Sequence, residues 1–411
     1  MRFLFSITGI LLAYAAYVLG PPLHRRLTVL GVLRHAPLST LSADEIVVIQ
    51  DTTHCEDVHY YAPSGTLFAA CEDDPKTRFG WFPPLATFDD PELGKRGRGS
   101  IHVIDPKTMK SQRLSFENFD TTFVTHGIDV IPDPEQNDGK AVYIFAINHV
   151  PDETLPKARS QIEVFHHVIG SPSIRHIRSV WHPLLRTPND VYASSPTSVY
   201  ATNDHHYTDG MLRLIEDVYS GAKWTDTVLL RIDLRITADS AAGVVGSVAL
   251  DRMHNNNGLA HGRSPKEILI ASATGGVLSI GEILPNGNIT VVDSIEADSV
   301  IDNPSYFHDP STGARGFVLP GIAKAVDLDH TKRDPDATNS VMVWFAWEQQ
   351  APLPRWGQRL LFEDDGSKIR SASAAVLVPI DDATGGKEQR QAWLFVTGFQ
   401  SLNMIAVKVD L

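Results

Sequence analysis

Cysteine is nearly absent from this chain: Cys55 and Cys71 are the only two in 411 residues. That count excludes a disulfide-dense scaffold and a thiolate-built zinc centre. Blocks of basic residues are missing as well. Lys and Arg total 36 against 49 Asp and Glu, for a net charge of −13, so nucleic acid is not an expected partner. An acidic chain suits a cation where its acids converge on one place. Long apolar runs are limited to one, "FLFSITGILLAYAAYVLG" from Phe3, which lies between Arg2 and His24-Arg25-Arg26. At roughly 18 residues it stands on the border between a signal peptide and a short membrane span. Ala15-Ala16 offers small residues, but no clear A-x-A cleavage site follows. The expectation is a signal-anchor or retained leader over residues 1–26 and a folded body over 40–411. The body would then be lumenal or extracellular, on the secretory pathway, and either membrane-anchored or secreted. The lone sequon Asn288-Ile289-Thr290 agrees with that route as a glycosylation candidate.

Long helical patterns are also scarce. Past residue 40 the text is a series of short β-like runs broken by Gly, Pro, Asp and Asn, such as "KAVYIFAINH" and "EILIASATGGVLSIGEI". Strands at this density predict an all-β sandwich, barrel or propeller. A degenerate repeat favours the propeller: a polar residue, a short strand, a Gly- or Pro-marked turn, then a second apolar strand. It recurs at "CEDVHYYAPSGTLFAAC", "HGIDVIPDPEQNDGKAVYIFAINH", "NDVYASSPTSVYATND", "NNGLAHGRSPKEILIAS", "DNPSYFHDPSTGARGFVLP" and near "IRSASAAVLVP". Six instances averaging roughly 60 residues fit blades of four strands. One stretch departs. In "DGMLRLIEDVYSGAKW", Met211, Leu214, Ile215, Val218 and Tyr219 keep helical spacing, so an amphipathic helix is expected there, as packing, lid or membrane-facing element.

In a propeller the first strand of each blade lines the central tunnel, so the opening residues of the repeats converge on one axis. They are Glu56-Asp57, His126, Asn189-Asp190, Asn257 and Asp302-Asn303. All but His126 are hard oxygen donors, the mixture of carboxylate and amide that calcium takes. Taken singly, Asn189, Asn257 and Asp302-Asn303-Pro304 read as turn residues. Separate turns, however, have no reason to choose oxygen donors at every blade opening. Neighbouring side chains on a strand face opposite ways, so Glu56-Asp57 and Asn189-Asp190 can each serve two ions. Two calcium ions stacked along the tunnel are expected. Pro63-Ser64-Gly65 marks a turn between Cys55 and Cys71; a hairpin there would set the thiols opposite each other, either bonded or as two buried free thiols. His205-His206 and His166-His167 read as surface or loop residues.

These residues resemble the serum paraoxonase/arylesterase family of calcium-dependent lactonases and esterases. The likeness is carried by "EDVHYYAPSGTLF", "THGIDVIPD", "VYIFAINH", "PNDVYASSPTSVYATNDHHY", "NNNGL" and "VIDNPSYFHDPSTG" in that order, over most of residues 40–411. It implies a six-bladed β-propeller with a short lid helix around residues 207–222 and an apolar leader that the family can retain. By position, Glu56, Asn189, Asn257, Asp302 and Asn303 would hold a catalytic calcium. Asp57, Asp190 and the carbonyl of Ile128 would hold a structural one. His126 would be the general base and His149 its orienting partner. Two departures stand out. Animal members tie the first and last strands with a disulfide, whereas the C-terminal "MIAVKVDL" has no cysteine, so ring closure must rest on strand pairing. A further active-site histidine of many relatives has no counterpart in "GFVLPGIAKA", which bears on substrate range more than on the metal site. The expected function is calcium-dependent opening of lactones and cleavage of aryl esters, on a small-molecule substrate, with the membrane met through the N-terminal segment. The alternatives are a one-metal gluconolactonase-like propeller and a non-catalytic, calcium-stabilised, membrane-tethered binding propeller.

Overall fold

The computed structural model describes residues 2–35, 39, 45–136, 139–235, 237–350, 355–380 and 391–411; at 2–13, 15 and 16 it describes the backbone alone. Six sheets stand around one axis, five of four antiparallel strands and one of five, in which the edge strand Ser115–Glu117 pairs in parallel with Ser173–Val180. The innermost strand of each is Asp57–Tyr61, Thr125–Pro132, Pro188–Ser195, Asn256–His261, Ser305–His308 or Ala372–Pro379. Each innermost strand touches the next, and the first touches the last. The fold is therefore an all-β six-bladed propeller.

Local chemistry explains the blades. Each sheet is covered on both faces by its neighbours, so its middle strands are apolar almost throughout; Ala141–Asn148 is buried at every position but one. Phe145, Ile147 and Val164 of the second blade pack against Val191, Val199 and Val228 of the third. The ring closes without a covalent tie between its ends. Ile46–Ile49 adds the outermost strand to the sixth blade, pairing Ile46 with Val407 through Ile49 with Met404. That pairing does what the missing cysteine would otherwise do. Cys55 and Cys71 are joined to each other instead, within the first blade.

The helix Gly210–Val218 forms where its spacing predicts, with its apolar residues outward. Met211, Leu212, Leu214 and Val218 are exposed, while Arg213 and Glu216 are buried. The polar face turns inward because it has partners there. Glu216 accepts the backbone N–H groups of His206 at 2.8 Å and Tyr207 at 3.0 Å. Arg213 donates to the carbonyls of Thr208 and Pro84. Two satisfied charges outweigh an apolar stripe with nothing to cover it.

The N-terminal helix runs Arg2–Val29 with Pro21 and Pro22 inside it. Its last turns dock on the fourth and fifth blades. Arg25 reaches Asp298 at 3.0 Å and the Ala297 carbonyl at 2.6 Å, Arg26 reaches the carbonyls of Thr274 and Val218, and Val300 N donates to Val29 O. The anchor expectation falls mostly on side chains outside the described residues. Among the described residues no helix is long and apolar enough to cross a membrane.

The Cys55–Cys71 bond closes a loop with a sequence separation of 16, and closing a loop of that size is worth about 3 kcal/mol through the unfolded chain. The double variant Cys55→Ala/Cys71→Ala is expected to lose about 2–4 kcal/mol in urea unfolding, and a reductant should reproduce that loss in the parent protein.

Candidate functional site

The polar residues at the blade openings meet on the axis. Glu56 comes from the first blade, Asn189 from the third, Asn257 from the fourth, and Asp302 and Asn303 precede the first strand of the fifth. Asn303 Nδ2 donates to Glu56 Oε1 at 2.9 Å across 247 residues of sequence. The backbone of Glu56 is fixed from the sixth blade, where the hydroxyls of Ser373 and Thr397 donate to its carbonyl.

Five buried oxygens in this group have no hydrogen-bond partner: Glu56 Oε2, Asn189 Oδ1, Asn257 Oδ1, Asp302 Oδ1 and Asn303 Oδ1. Each unpartnered buried acceptor costs about 1–3 kcal/mol, so five together need a donor or a cation. Gly258 makes room for the group. A Cβ there would fall 2.7 Å from Asn303 Oδ1 and 2.6 Å from its Cα. Burial, then Asp302 and Asp57, push the Glu56 carboxyl well above the usual range. Burial, then Asp57 and Asp204, do the same to Asp302. Carboxylates this crowded demand positive charge.

The second faces of the adjacent pairs behave differently. Asp57 and Asp190 are buried, and backbone N–H groups satisfy them. Val58 and Ile128 donate to Asp57 at 2.8 Å; Val191 and Leu259 donate to Asp190 at 2.7 and 2.6 Å. Burial, then Asp57, raises Asp190. Gly127 permits the approach, since a Cβ there would lie 2.2 Å from Asp190 Oδ1. Ile128 is fully buried beside them. Below, His59 bridges Asp57 at 3.3 Å and Asp129 at 3.4 Å, and His261 meets Asp129 at 2.8 Å. Among the described residues no three His, Cys, Asp or Glu side chains alone make a metal site; the donor set here is part amide.

His126 sits against this cage, its Nε2 3.5 Å from Glu56 Oε1. Its Nδ1 lies 3.2 Å from His149 Nε2, and His149 Nδ1 lies 2.8 Å from Ser160 Oγ. Burial, then His149 and Arg78, hold His126 well below the usual imidazole range; burial lowers His149 to about 3. Both rings are neutral at pH 7. Phe82 meets His126 edge-on at 5.3 Å and stacks on Phe399. The Arg78 guanidinium lies 4.0 Å over Phe82 and donates to His54 O; burial lowers it to about 10, with Glu72 and Glu56 opposing. A small cleft opens beside His149, with Pro83, Phe88, Ser160, Arg186, Asp204 and Thr208 in its walls.

The residues expected at the metal sites stand at the inner ends of their blades, and contacts join Glu56 to Asn303, Glu56 to His126 and His126 to His149. Asn288 is exposed, between the strands Val277–Ile283 and Ile289–Glu296 of the fourth blade. Sequence reasoning passed over Arg78, Ser160, Asp204 and His205. His205 corrects the surface reading directly: it is buried, as is His167. His205 lies 3.1 Å from Asp204 and 2.9 Å from Asp217, because it joins the tunnel wall to the helix at its mouth. The "NDHHY" run that continues "YATN" held the signal, since two acid-capable partners flank it only once the helix folds back.

Burial and Arg213 push His205 down, but the two carboxylates outweigh them and lift it to about 8. A folded value above the unfolded one near 6.5 adds stability that is complete below about 6.5 and lost as pH rises through about 8. Unfolding free energy should therefore fall by about 2 kcal/mol between pH 6 and 9. His205→Gln should remove that slope; a flat profile in the parent protein would overturn the assignment.

The profile of the arylesterase family matches residues 93–377. Rat serum paraoxonase/arylesterase 2 is 29% identical over 223 residues, covering 52% of this chain and 55% of that one. The chicken protein of the same name is 31% identical over 219 residues, with the same coverage. Rabbit serum paraoxonase/lactonase 3 is 27% identical over 238 residues, or 56% of this chain and 58% of that one. The chain thus spans little more than half the length of the curated relatives it matches. Among solved structures, a luciferin-regenerating enzyme covers 89% of this chain and 94% of its own at 12% identity and a TM-score of 0.42, too low to carry weight. With 93–377 spanning more than half of its residues, the chain belongs to the arylesterase family.

Proposed function

We propose that this protein is a carboxylic ester hydrolase that opens lactones and cleaves aryl esters, with two calcium ions on its axis and water activated by His126. One observation carries the reading: five buried oxygens without a hydrogen-bond partner, brought from four separate parts of the ring to the inner ends of its blades. Their chemistry favours calcium over zinc, because oxygens of carboxylate and amide are hard ligands and no thiolate is present. Relatives named as arylesterases and a lactonase support the reaction class.

Charge supports two ions over one. Asp129 has His59 and His261 against it, and Asp204 has His205 and Arg213. Among the described residues Glu56, Asp190 and Asp302 pair with no Lys or Arg; Glu56 feels only the nearby charge of Arg78, which acts on Glu72 as well, and Asp57 shares His59 with Asp129. Three to four buried negative charges exceed what a single divalent ion neutralises. Glu56, Asn189, Asn257, Asp302 and Asn303 would hold the reactive ion, and Asp57, Asp190 and the Ile128 carbonyl the structural one. When bound, the reactive ion polarises the substrate carbonyl and stabilises the oxyanion that develops on it.

The chain's own residues do the rest. Neutral His126 accepts a proton from water at Nε2, the ring atom on the cage side. His149 holds the His126 ring through Nδ1. Phe82 and Phe399 exclude bulk water from that proton's path. Asp57 ties the first blade to the second and Asp190 the third to the fourth. A base of this kind contributes roughly 10²–10⁴-fold, less than the loss of the ion's ligands should cost. The N-terminal helix, by way of the secretory route expected for the chain, would hold the enzyme at a membrane or leave it secreted.

The test is turnover of phenyl acetate and a small lactone with calcium, then after exhaustive chelation. Hydrolysis is expected only with calcium, with two ions bound per chain by calorimetry. One ion per chain would favour the gluconolactonase-like reading, and calcium-dependent folding without turnover would favour the binding propeller. Chelation should also lower Tm sharply, because the crowded carboxylates are then left unneutralised. His126→Gln is expected to cut kcat about 10²-fold or more, and Glu56→Gln or Asn257→Ala to lose nearly all activity together with calcium affinity. Full lactonase activity in His126→Gln would remove His126 as the base.

A further inference from the structure

The two histidines raise a question of tautomers that a third residue answers. For His126 to accept a proton at Nε2, its own hydrogen must sit on Nδ1. The atom facing Nδ1 is His149 Nε2 at 3.2 Å, which must then be bare. The hydrogen of His149 must therefore sit on Nδ1, and 2.8 Å from it stands Ser160 Oγ. One hydroxyl, accepting rather than donating, decides all three positions.

We propose that Ser160 is a positioning residue: by accepting the Nδ1–H of His149 it locks both rings in the tautomers that leave His126 Nε2 free. This inference rests on the histidine-pair reading above. The backbone of His149 is already fixed from two sides. Its N–H donates to Val124 O at 2.9 Å and its carbonyl accepts from Trp81 Nε1 at 3.0 Å. What remains undetermined is the ring, and among the described residues Ser160 is the polar contact His149 Nδ1 makes. Ser160 is itself buried, at 3% exposure. A tight return brings it there: Pro151 bridges Ala158, and Arg159 N donates to Val150 O at 2.8 Å.

An opposite arrangement is conceivable, with Ser160 donating to His149 Nδ1. The hydrogens of both rings would then move to Nε2, and His126 would point a donor at Glu56. Two features oppose it. Glu56 Oε1 already accepts from Asn303, and at 3.5 Å from His126 it is beyond good hydrogen-bond range. In addition, the Ser160 hydroxyl lines the cleft beside His149, where its own hydrogen can be given to water. Ser160 therefore needs no ring nitrogen as its acceptor.

The experiment reads tautomers as well as rates. In calcium-loaded protein labelled with ¹⁵N-histidine, His149 is expected to show a protonated Nδ1 and a bare Nε2. Ser160→Ala should reverse or mix that pattern and lower kcat roughly 10- to 100-fold, while KM for phenyl acetate and calcium affinity stay within about twofold. Ser160→Thr, which keeps the acceptor, should restore both the ring signals and kcat. Three results would each overturn the proposal: a parent His149 protonated at Nε2, a Ser160→Ala enzyme with parental kcat, or a slowed enzyme whose ring signals have not moved. A Ser160→Ala chain that does not fold leaves the parent tautomer and the Ser160→Thr rescue to decide. If His126→Gln keeps full activity the base reading fails by itself, and the ring signals still judge Ser160.

Discussion

Buried negative charge without a side-chain counterion is the constraint on which this structure turns. An ionised carboxylate taken out of water must be protonated, paired or metal-bound. The protein pairs several of its buried acids. Glu163 accepts from Asn148, Gln161, His176 and Ser179, and Glu216 accepts two backbone donors. On the axis it makes the opposite choice. It sets Glu56 and Asp302 close enough that each raises the other or is raised by a shared neighbour, and gives their remaining oxygens nothing to accept. Five acceptors left bare at the inner ends of four blades, two of them on crowded carboxylates, favour something added from outside.

The propeller is what makes the cage possible from such distant residues. Radial strands deliver one short polar segment per blade to the axis, and each is held by its neighbour. Asn303 N donates to Ser373 O in the sixth blade, Ser373 Oγ donates to Glu56 O in the first, and Leu259 N of the fourth donates to Asp190 of the third. The site is therefore as rigid as the ring, and the ring is as rigid as its closure. Since Ile46–Ile49 closes it through four residue pairs rather than through a covalent bond, the fit of Glu56 to Asn303 depends on an ordinary strand pairing at the far edge of the sixth blade.

Much of this was legible in the residues because propeller geometry turns sequence period into spatial convergence. The adjacent pairs Glu56-Asp57 and Asn189-Asp190 carried the most information, since opposite faces of one strand can serve two levels of a tunnel. The roof was not legible. Arg78, Trp81 and Phe82 lie in a stretch between strands of the first blade that has no repeat to interpret it, and their positions follow from contacts with Phe399, His149 and His54 made far away in sequence. Ser160 was hidden for a similar reason: its meaning depends on a return of chain that places one hydroxyl on one ring nitrogen. The helix Gly210–Val218 was legible as an element but the face it buries was not, because periodicity reports where apolar residues lie, whereas burial was decided by the partners waiting for Arg213 and Glu216.

The proposed cage and the proposed base require opposite electrostatics at a separation of 3.5 Å. A proton acceptor must be uncharged, while a cation site must be strongly negative. One physical cause meets both needs. Removing water penalises charge of either sign, so it keeps His126 and His149 neutral and, in the same volume, makes the carboxylates dependent on an ion for their charge. Arg78 sharpens the contrast, because a buried guanidinium disfavours protonated histidine and favours ionised Glu56 at once. The Phe82 ring that carries it also covers His126. A roof that admitted water would thus weaken the base and the cage together, which is why the wall over this reacting centre is aromatic.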